Sequence, residues 1–163
     1  PDHLKIVLEY LKLAGMKLKI DQDSIHITPK HTSILPVDIT TEIYPGFPTD
    51  LQAQWMALMT QANGSSIITE NIYTDRFTHI PELARFGAHI SLEHNNASMK
   101  GNDTLIAAPV MSTDIRASAS LIIAALAAKG KSTISRVYHI DRGYENIEVK
   151  LSALGADISR VKE

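Results

Sequence analysis

Thr49-Asp50-Leu51-Gln52 opens an apolar run that closes at Gly64 and leads into Ile67-Ile68-Thr69-Glu70-Asn71-Ile72-Tyr73-Thr74-Asp75-Arg76. Thr113-Asp114-Ile115-Arg116 opens a second run, which closes at Gly130 and leads into Ser132-Thr133-Ile134-Ser135-Arg136-Val137-Tyr138-His139-Ile140-Asp141-Arg142. The passages correspond at a near-constant offset of about 65 residues, which marks a supersecondary unit used more than once, with equivalent polar positions brought to comparable places. Outward from them, Leu83-Ala84-Arg85-Phe86-Gly87-Ala88-His89-Ile90 has counterparts in Leu11 to Leu18 and Leu151 to Ile158. Each reads as a helix end, a glycine and a strand start, because the residue after a helix often takes a left-handed conformation that a Cβ penalises.

Each unit of about seventy residues is therefore expected to run strand, buried helix, strand, second helix, strand, strand. The chain reads as one domain: a partial unit over about 1–33, a full unit over about 34–100 and a partial unit over about 101–163. Its first stretch, His3 to Ala14, places Leu4, Val7, Leu8 and Leu11 on one helical stripe. Alternating strands over Lys17 to Ile20 and Ser24 to Thr28 follow, with Asp21-Gln22-Asp23 as their turn. Ile34 to Ile43 reads as extended chain, and the prolines of Tyr44-Pro45-Gly46-Phe47-Pro48 forbid helix there.

Thr49 and Gln52 have capping-box spacing, which predicts a helix over Thr49 to Asn63. Its twin, Asp114 to Lys129, is richer still in small apolar residues, and helices apolar on nearly every face are buried. The fold class is therefore α/β: an incomplete inside-out barrel of βαβαββ units, helices inside and sheets outside.

The 163 residues include 44% hydrophobic side chains, enough for a real core, and no cysteine, which excludes disulfides, thiolate metal sites and a cysteine nucleophile within the chain. A net charge of −2 and a pI near 6.4 provide no basic field for nucleic acid or anionic membrane. No apolar run approaches the roughly 20 residues that cross a bilayer, and a cytoplasmic location is expected. The start at Pro1, entering an amphipathic helix at once, reads as a piece of something longer.

Asp50 and Asp114 sit at expected helix N-termini, where a carboxylate serves as a cap; the rigid Phe47-Pro48 entry also makes Asp50 a candidate to act on a substrate held by nearby amides. Two readings of Arg116 stand side by side: an ion pair with Asp114 alone, or a site for phosphate or carboxylate built with the helix N-terminus. Asp75-Arg76 and Asp141-Arg142 are expected at the ends of equivalent strands, the aspartates as solvated ion pairs and the arginines as members of a shared pocket. Tyr73 is the tyrosine best placed to line it. The seven histidines show no His-x-x-x-His pair, and no nucleotide-binding glycine fingerprint or P-loop occurs.

Three passages, Tyr44 to Gln54, Thr113 to Leu121 and Tyr138 to Glu145, make the whole chain resemble the C-terminal domain of the UDP-N-acetylglucosamine enolpyruvyl transferase family. The resemblance implies an inside-out α/β barrel and transfer of enolpyruvate from phosphoenolpyruvate to the 3′-hydroxyl of UDP-N-acetylglucosamine. Phosphate is released, in the first committed step of peptidoglycan synthesis, on which cell-wall biogenesis, cell shape and division depend. It implies Asp50 as base, Arg116 and Arg142 as holders of phosphoenolpyruvate, Arg76 facing the same cleft and Asp114 organising it. Ile72 and Tyr73 are implied beside the sugar nucleotide, with no cofactor or metal. It also implies a missing N-terminal domain that supplies a lysine, an asparagine, further arginines and a loop cysteine as acid, so that the chain alone is inactive. The alternatives are a piece of a shikimate-pathway enolpyruvyl transferase, a non-catalytic repeat module, or an RNA-end-processing protein of related fold.

Overall fold

The computed structural model describes residues 2–29, 33–101 and 104–161. Pro1 and His31 lie outside the described residues.

Helix α1 (Lys5–Leu13) buries Leu8 and lays Val7, Tyr10 and Leu11 against the core. It stops where Gly15 takes φ +91°, and the chain turns into the hairpin β1 (Met16–Ile20) and β2 (Ile25–Pro29). Gly87 and Gly155 hold the corresponding places with φ +92° and +96°. A side chain at any of the three would be strained in that conformation.

The middle of the chain follows the expected order. Strand β3 (Ile39–Thr40) runs parallel to β4 (Ser65–Thr69), joined through α2 (Gln52–Met59). Helix α3 (Ile80–Arg85) then leads to β5 (His89–Glu93) and β6 (Asn96–Lys100), completing a four-stranded sheet of order β3-β4-β6-β5. Strand β7 (Pro109–Met111) pairs in parallel with β8 (Thr133–Ser135) across α4 (Ile115–Ala127). Two short helices, α5 (Tyr138–Asp141) and α6 (Ile147–Ala153), close the described chain.

Helices α2 and α4 pack on one another at the centre. Six of the eight residues of α2 are buried, among them Trp55, Met56 and Met59, and α4 buries Ala117 through Ile122 and Ala124. Small residues along α4 allow close approach, so two largely apolar helices share one core while the sheets lie outside them. Tyr10, Phe47 and Trp55 meet edge to face with centroids 5.3–6.0 Å apart, tying α1 and the loop before α2 to that core. Among the described residues no helix is long and apolar enough to cross a membrane.

Five local expectations are corrected. The helix over 49–63 is a 3-10 turn, Thr49–Leu51, followed by α2, which ends at Met59. The capping box does not form: the Thr49 hydroxyl donates to Glu70, and both polar atoms of the buried Gln52 amide lack a partner among the described residues. Asp50 caps neither turn, because arginine side chains occupy it. Neither strand reaches its Asp-Arg pair: β4 ends at Thr69 and leaves Asp75 and Arg76 in the turn before α3, and the strand expected to reach Arg142 ends at Ser135, where Arg136 adopts φ +56° and breaks the ladder, so Asp141 and Arg142 end a helical turn. After Gly155, residues 156–161 form no strand, having no neighbouring strand among the described residues to pair with.

Candidate active site

Asp50 is delivered by a firmly held loop. Phe47 is buried, its carbonyl accepts the N–H of Glu42, and Pro48 leads into the turn that carries Asp50. One carboxylate oxygen of Asp50, Oδ1, accepts Nη1 of Arg76 at 2.9 Å and Nε of Arg116 at 2.8 Å. The Asp50 side chain is 61% exposed, against 18% for Arg76 and 39% for Arg116. Two guanidiniums thus grip one oxygen of a carboxylate that still faces solvent. Partial burial works to raise the Asp50 pKa, but hydrogen bonds and charge from Arg116, then Arg76, outweigh it and hold the group below its ordinary value.

Asp114 does a different job. Its Oδ1 accepts the backbone N–H groups of Arg116 at 2.8 Å and Ala117 at 3.0 Å, capping α4, and Oδ2 accepts the Thr78 hydroxyl at 3.2 Å. Burial pushes its pKa up, and the amides of Ala117 and Arg116, Thr78 and nearby His79 together bring it below the usual carboxylate value. The Arg116 guanidinium is consequently free of Asp114 and reaches across to Asp50. His79 sits behind this cap with Nε2 3.2 Å from the Met56 sulfur; burial, opposed by the Asp114 charge, lowers its pKa to about 4, so the ring is neutral.

Ile72 and Tyr73 lie in the loop after β4 with their side chains largely exposed, and the Arg76 guanidinium stands 5.3 Å from the centre of the Tyr73 ring. The turn that carries Arg142 is located by its neighbours. Gly143 is packed so tightly on Ile115 that an added Cβ would lie 2.3 Å from Ile115 Cδ1, and the Tyr144 hydroxyl accepts from Gln54 Nε2 at 3.5 Å. The turn carrying Arg142 therefore lies across the N-terminal ends of α4 and α2. Its guanidinium is exposed and forms no ion pair among the described residues. Neighbouring Asp141 pairs with Arg160 through two hydrogen bonds of 2.9 and 2.6 Å, which hold its pKa below the usual carboxylate value.

Several contributors escape a reading of the sequence. Glu70 is fully buried and accepts four hydrogen bonds, from Thr41, Thr49 and the amides of Ile72 and Tyr73. The available signal is an acidic residue following directly on strand β4. Thr78, His79 and Arg160 carry no pattern that distinguishes them from surface polar residues.

Two guanidiniums gathered on an exposed carboxylate, with the turn of Arg142 seated on the first residue of α4, can take an anion beside a hydroxyl-bearing molecule: guanidinium forks match phosphate and carboxylate, and Asp50 can accept a hydroxyl proton. Among the described residues no group of three His, Asp or Glu side chains is arranged to hold a metal ion.

Residues 1–151 match the family profile of EPSP synthase (3-phosphoshikimate 1-carboxyvinyltransferase). Proteins named UDP-N-acetylglucosamine 1-carboxyvinyltransferase are similar over nearly the whole chain: 53% identical in Bartonella tribocorum, 54% in Chlorobium chlorochromatii and 55% in Bartonella henselae. Each comparison takes in 99% of this chain and 38% of the relative, so the chain spans a little over a third of their length. Among solved structures, the enolpyruvyl transferase NikO from Streptomyces tendae superposes with a TM-score of 0.87 at 28% identity, over 96% of this chain and 36% of that one. EPSP synthase from Acinetobacter baumannii superposes at 0.65 with 15% identity, covering 96% of this chain and 37% of its own, a likeness of fold.

Proposed function

The chain belongs to the EPSP synthase (3-phosphoshikimate 1-carboxyvinyltransferase) family, and from that premise we propose that it forms one wall of the active site of a transferase moving enolpyruvate from phosphoenolpyruvate to the 3′-hydroxyl of UDP-N-acetylglucosamine. The observation that carries the reading is the Asp50 carboxylate, exposed yet gripped by Arg76 and Arg116, in a chain 53% identical to relatives bearing that activity in their name. Over 3-phosphoshikimate as acceptor, the reading is favoured by that identity, since the EPSP synthase superposed here shares only 15%. Such an enzyme works in the cytoplasm at the entry to peptidoglycan synthesis.

In this mechanism Arg116 and Arg142 hold the phosphate and carboxylate of phosphoenolpyruvate, Arg76 adds positive charge, and Asp114 fixes Arg116 by capping its helix. Ile72 and Tyr73 flank the sugar nucleotide. The acceptor oxygen bonds to C2 of phosphoenolpyruvate while C3 takes a proton from an acid elsewhere in the protein. Cleavage of the C2–O bond to phosphate, with loss of a C3 proton, then restores the double bond. Asp50 receives the hydroxyl proton. A carboxylate with an ordinary pKa of ~3.9, held lower still, is a weak base toward an alcohol, so proton removal is concerted with attack. An incoming anion competes for the guanidinium N–H groups that grip Asp50, so donor binding raises the basicity of Asp50 when the acceptor needs it.

Because the chain spans about 38% of its relatives' length, turnover requires the remainder of the protein. The test is phosphate release from phosphoenolpyruvate and UDP-N-acetylglucosamine by the intact protein and by this chain alone. Activity in the first and none in the second is expected, and an intact protein inert with this pair overturns the proposal.

A further inference from the structure

A buried carboxylate lies one layer behind the site and is not used by the chemistry above. Glu70 is 0% exposed, a costly place for an acid unless its lone pairs are filled. They are filled: Oε1 accepts Thr41 Oγ1 at 2.6 Å and the amides of Ile72 and Tyr73 at 2.9 Å each, and Oε2 accepts Thr49 Oγ1 at 2.9 Å.

The direction of both hydroxyl bonds follows from their other partners. Thr41 Oγ1 accepts the amide of Asn71 at 2.9 Å, and Thr49 Oγ1 accepts Nη1 of Arg76 at 3.0 Å. Backbone amide and guanidinium only donate, so each threonine proton points at Glu70. A directed chain results: Glu70 orients Thr49, Thr49 receives Arg76, and the same Nη1 of Arg76 reaches Asp50 at 2.9 Å. The bonds from Ile72 and Tyr73 also fix the loop whose Tyr73 ring lies 5.3 Å from the Arg76 guanidinium. One branch from Glu70 thus reaches Arg76 through Thr49, and a second fixes the loop that sets the Tyr73 ring beside it.

We propose that Glu70, acting through the Thr49 hydroxyl, is the positioning residue that aims Arg76 at Asp50. The consequence for catalysis rests on the enolpyruvyl-transfer reading; the positioning itself does not. A saturated buried network of this kind rigidifies what it holds, and a misplacement of about 1 Å at a reacting centre costs on the order of 100-fold in rate.

Two substitutions separate positioning from mere folding. E70Q keeps the shape but presents an amide donor to Thr49, whose proton then has no acceptor. T49V removes the hydroxyl at nearly constant volume, and T49S restores it.

In the intact protein, E70Q and T49V are expected to lower kcat by about 10- to 100-fold, with KM for phosphoenolpyruvate changed far less and T49S near wild type. In the chain itself, a 13C titration of the Asp50 carboxyl is expected to show its midpoint moving up in E70Q and T49V and staying put in T49S. If T49V folds with an unchanged Asp50 midpoint, the positioning role is wrong. If the variants lose only melting temperature at unchanged kcat, it is likewise wrong. Should E70Q fail to fold, the comparison of T49V with T49S decides alone. An inert wild-type intact protein counts against the functional reading, while the Asp50 titration still decides the role of Glu70.

Discussion

Arg116 Nε donates to Asp50 Oδ1 at 2.8 Å although 66 positions separate the two residues. Asp50 enters the first buried helix and Arg116 begins the second, so their contact records the packing of α2 on α4. It joins the candidate base of one unit to the candidate anion holder of the next.

Replacing Asp50 by Asn in the intact protein is expected to lower kcat by about 10²- to 10⁴-fold, the range for loss of a general base. The melting temperature should scarcely move, because exposed ion pairs contribute about 1 kcal/mol or less. Phosphate-release kinetics beside thermal denaturation check both halves. Retained kcat removes Asp50 from the chemistry.

Anion binding should loosen the grip on Asp50. Titrating the chain with inorganic phosphate or phosphoenolpyruvate is expected to move the Asp50 carboxyl midpoint upward, toward the ordinary carboxylate range from the lowered value set by Arg116 and Arg76. Carboxyl 13C shifts measure it, and R116M should reduce the response to anion. A midpoint indifferent to either anion would count against a shared set of guanidiniums.

His79 makes stability pH-dependent. Its pKa falls from an ordinary 6.5 unfolded to about 4 folded, so the unfolded chain binds the extra proton. Its contribution is complete above pH 6.5, declines as pH falls toward 4 and levels off below, by up to about 3 kcal/mol. Urea unfolding across that interval should show the decline, and H79L should flatten it. The lowered carboxylates Asp50 and Asp114 weaken folding only at more acid pH, below their ordinary values.

Asp114→Ala removes the cap of α4 and is expected to cost about 1–2 kcal/mol, whereas Asp114→Asn, which can still accept the Arg116 and Ala117 amides, costs less. Chemical denaturation distinguishes them. Equal losses would mean that charge near His79, rather than the cap, is what matters.

Gly143 supports the turn that bears Arg142, and G143A places a methyl 2.3 Å from Ile115 Cδ1. The Ile115 end or the turn must shift. KM for phosphoenolpyruvate in the intact protein is expected to rise several-fold, and adding I115V, which deletes that Cδ1, should bring it back. A G143A protein with unchanged KM places Arg142 away from the anion.

The outcome at the two Thr-Asp motifs shows how far local pattern reaches. Thr113-Asp114 and Thr49-Asp50 look alike, and Asp114 caps its helix as such a residue should. Asp50 does not, because Arg76 and Arg116 arrive from elsewhere and outbid backbone amides for its oxygen. Thr49 is likewise drawn from its own turn to Glu70, 21 positions away. Local propensity was readable at both sites; which partner prevailed was not.

What the chain carries in its order of residues is the repeat itself: buried helices Gln52–Met59 and Ile115–Ala127 between parallel strands, and the glycines at 15, 87 and 155 closing the other helices. These follow from apolar spacing and backbone sterics, which act over a few residues. The union of Asp50 with Arg76 and Arg116, the seating of the Gly143 turn on Ile115, and the burial of Glu70 were decided only by tertiary structure. Those pairings depend on how whole helices settle against each other, and a side chain meets partners 26 or 66 positions distant only once that packing exists.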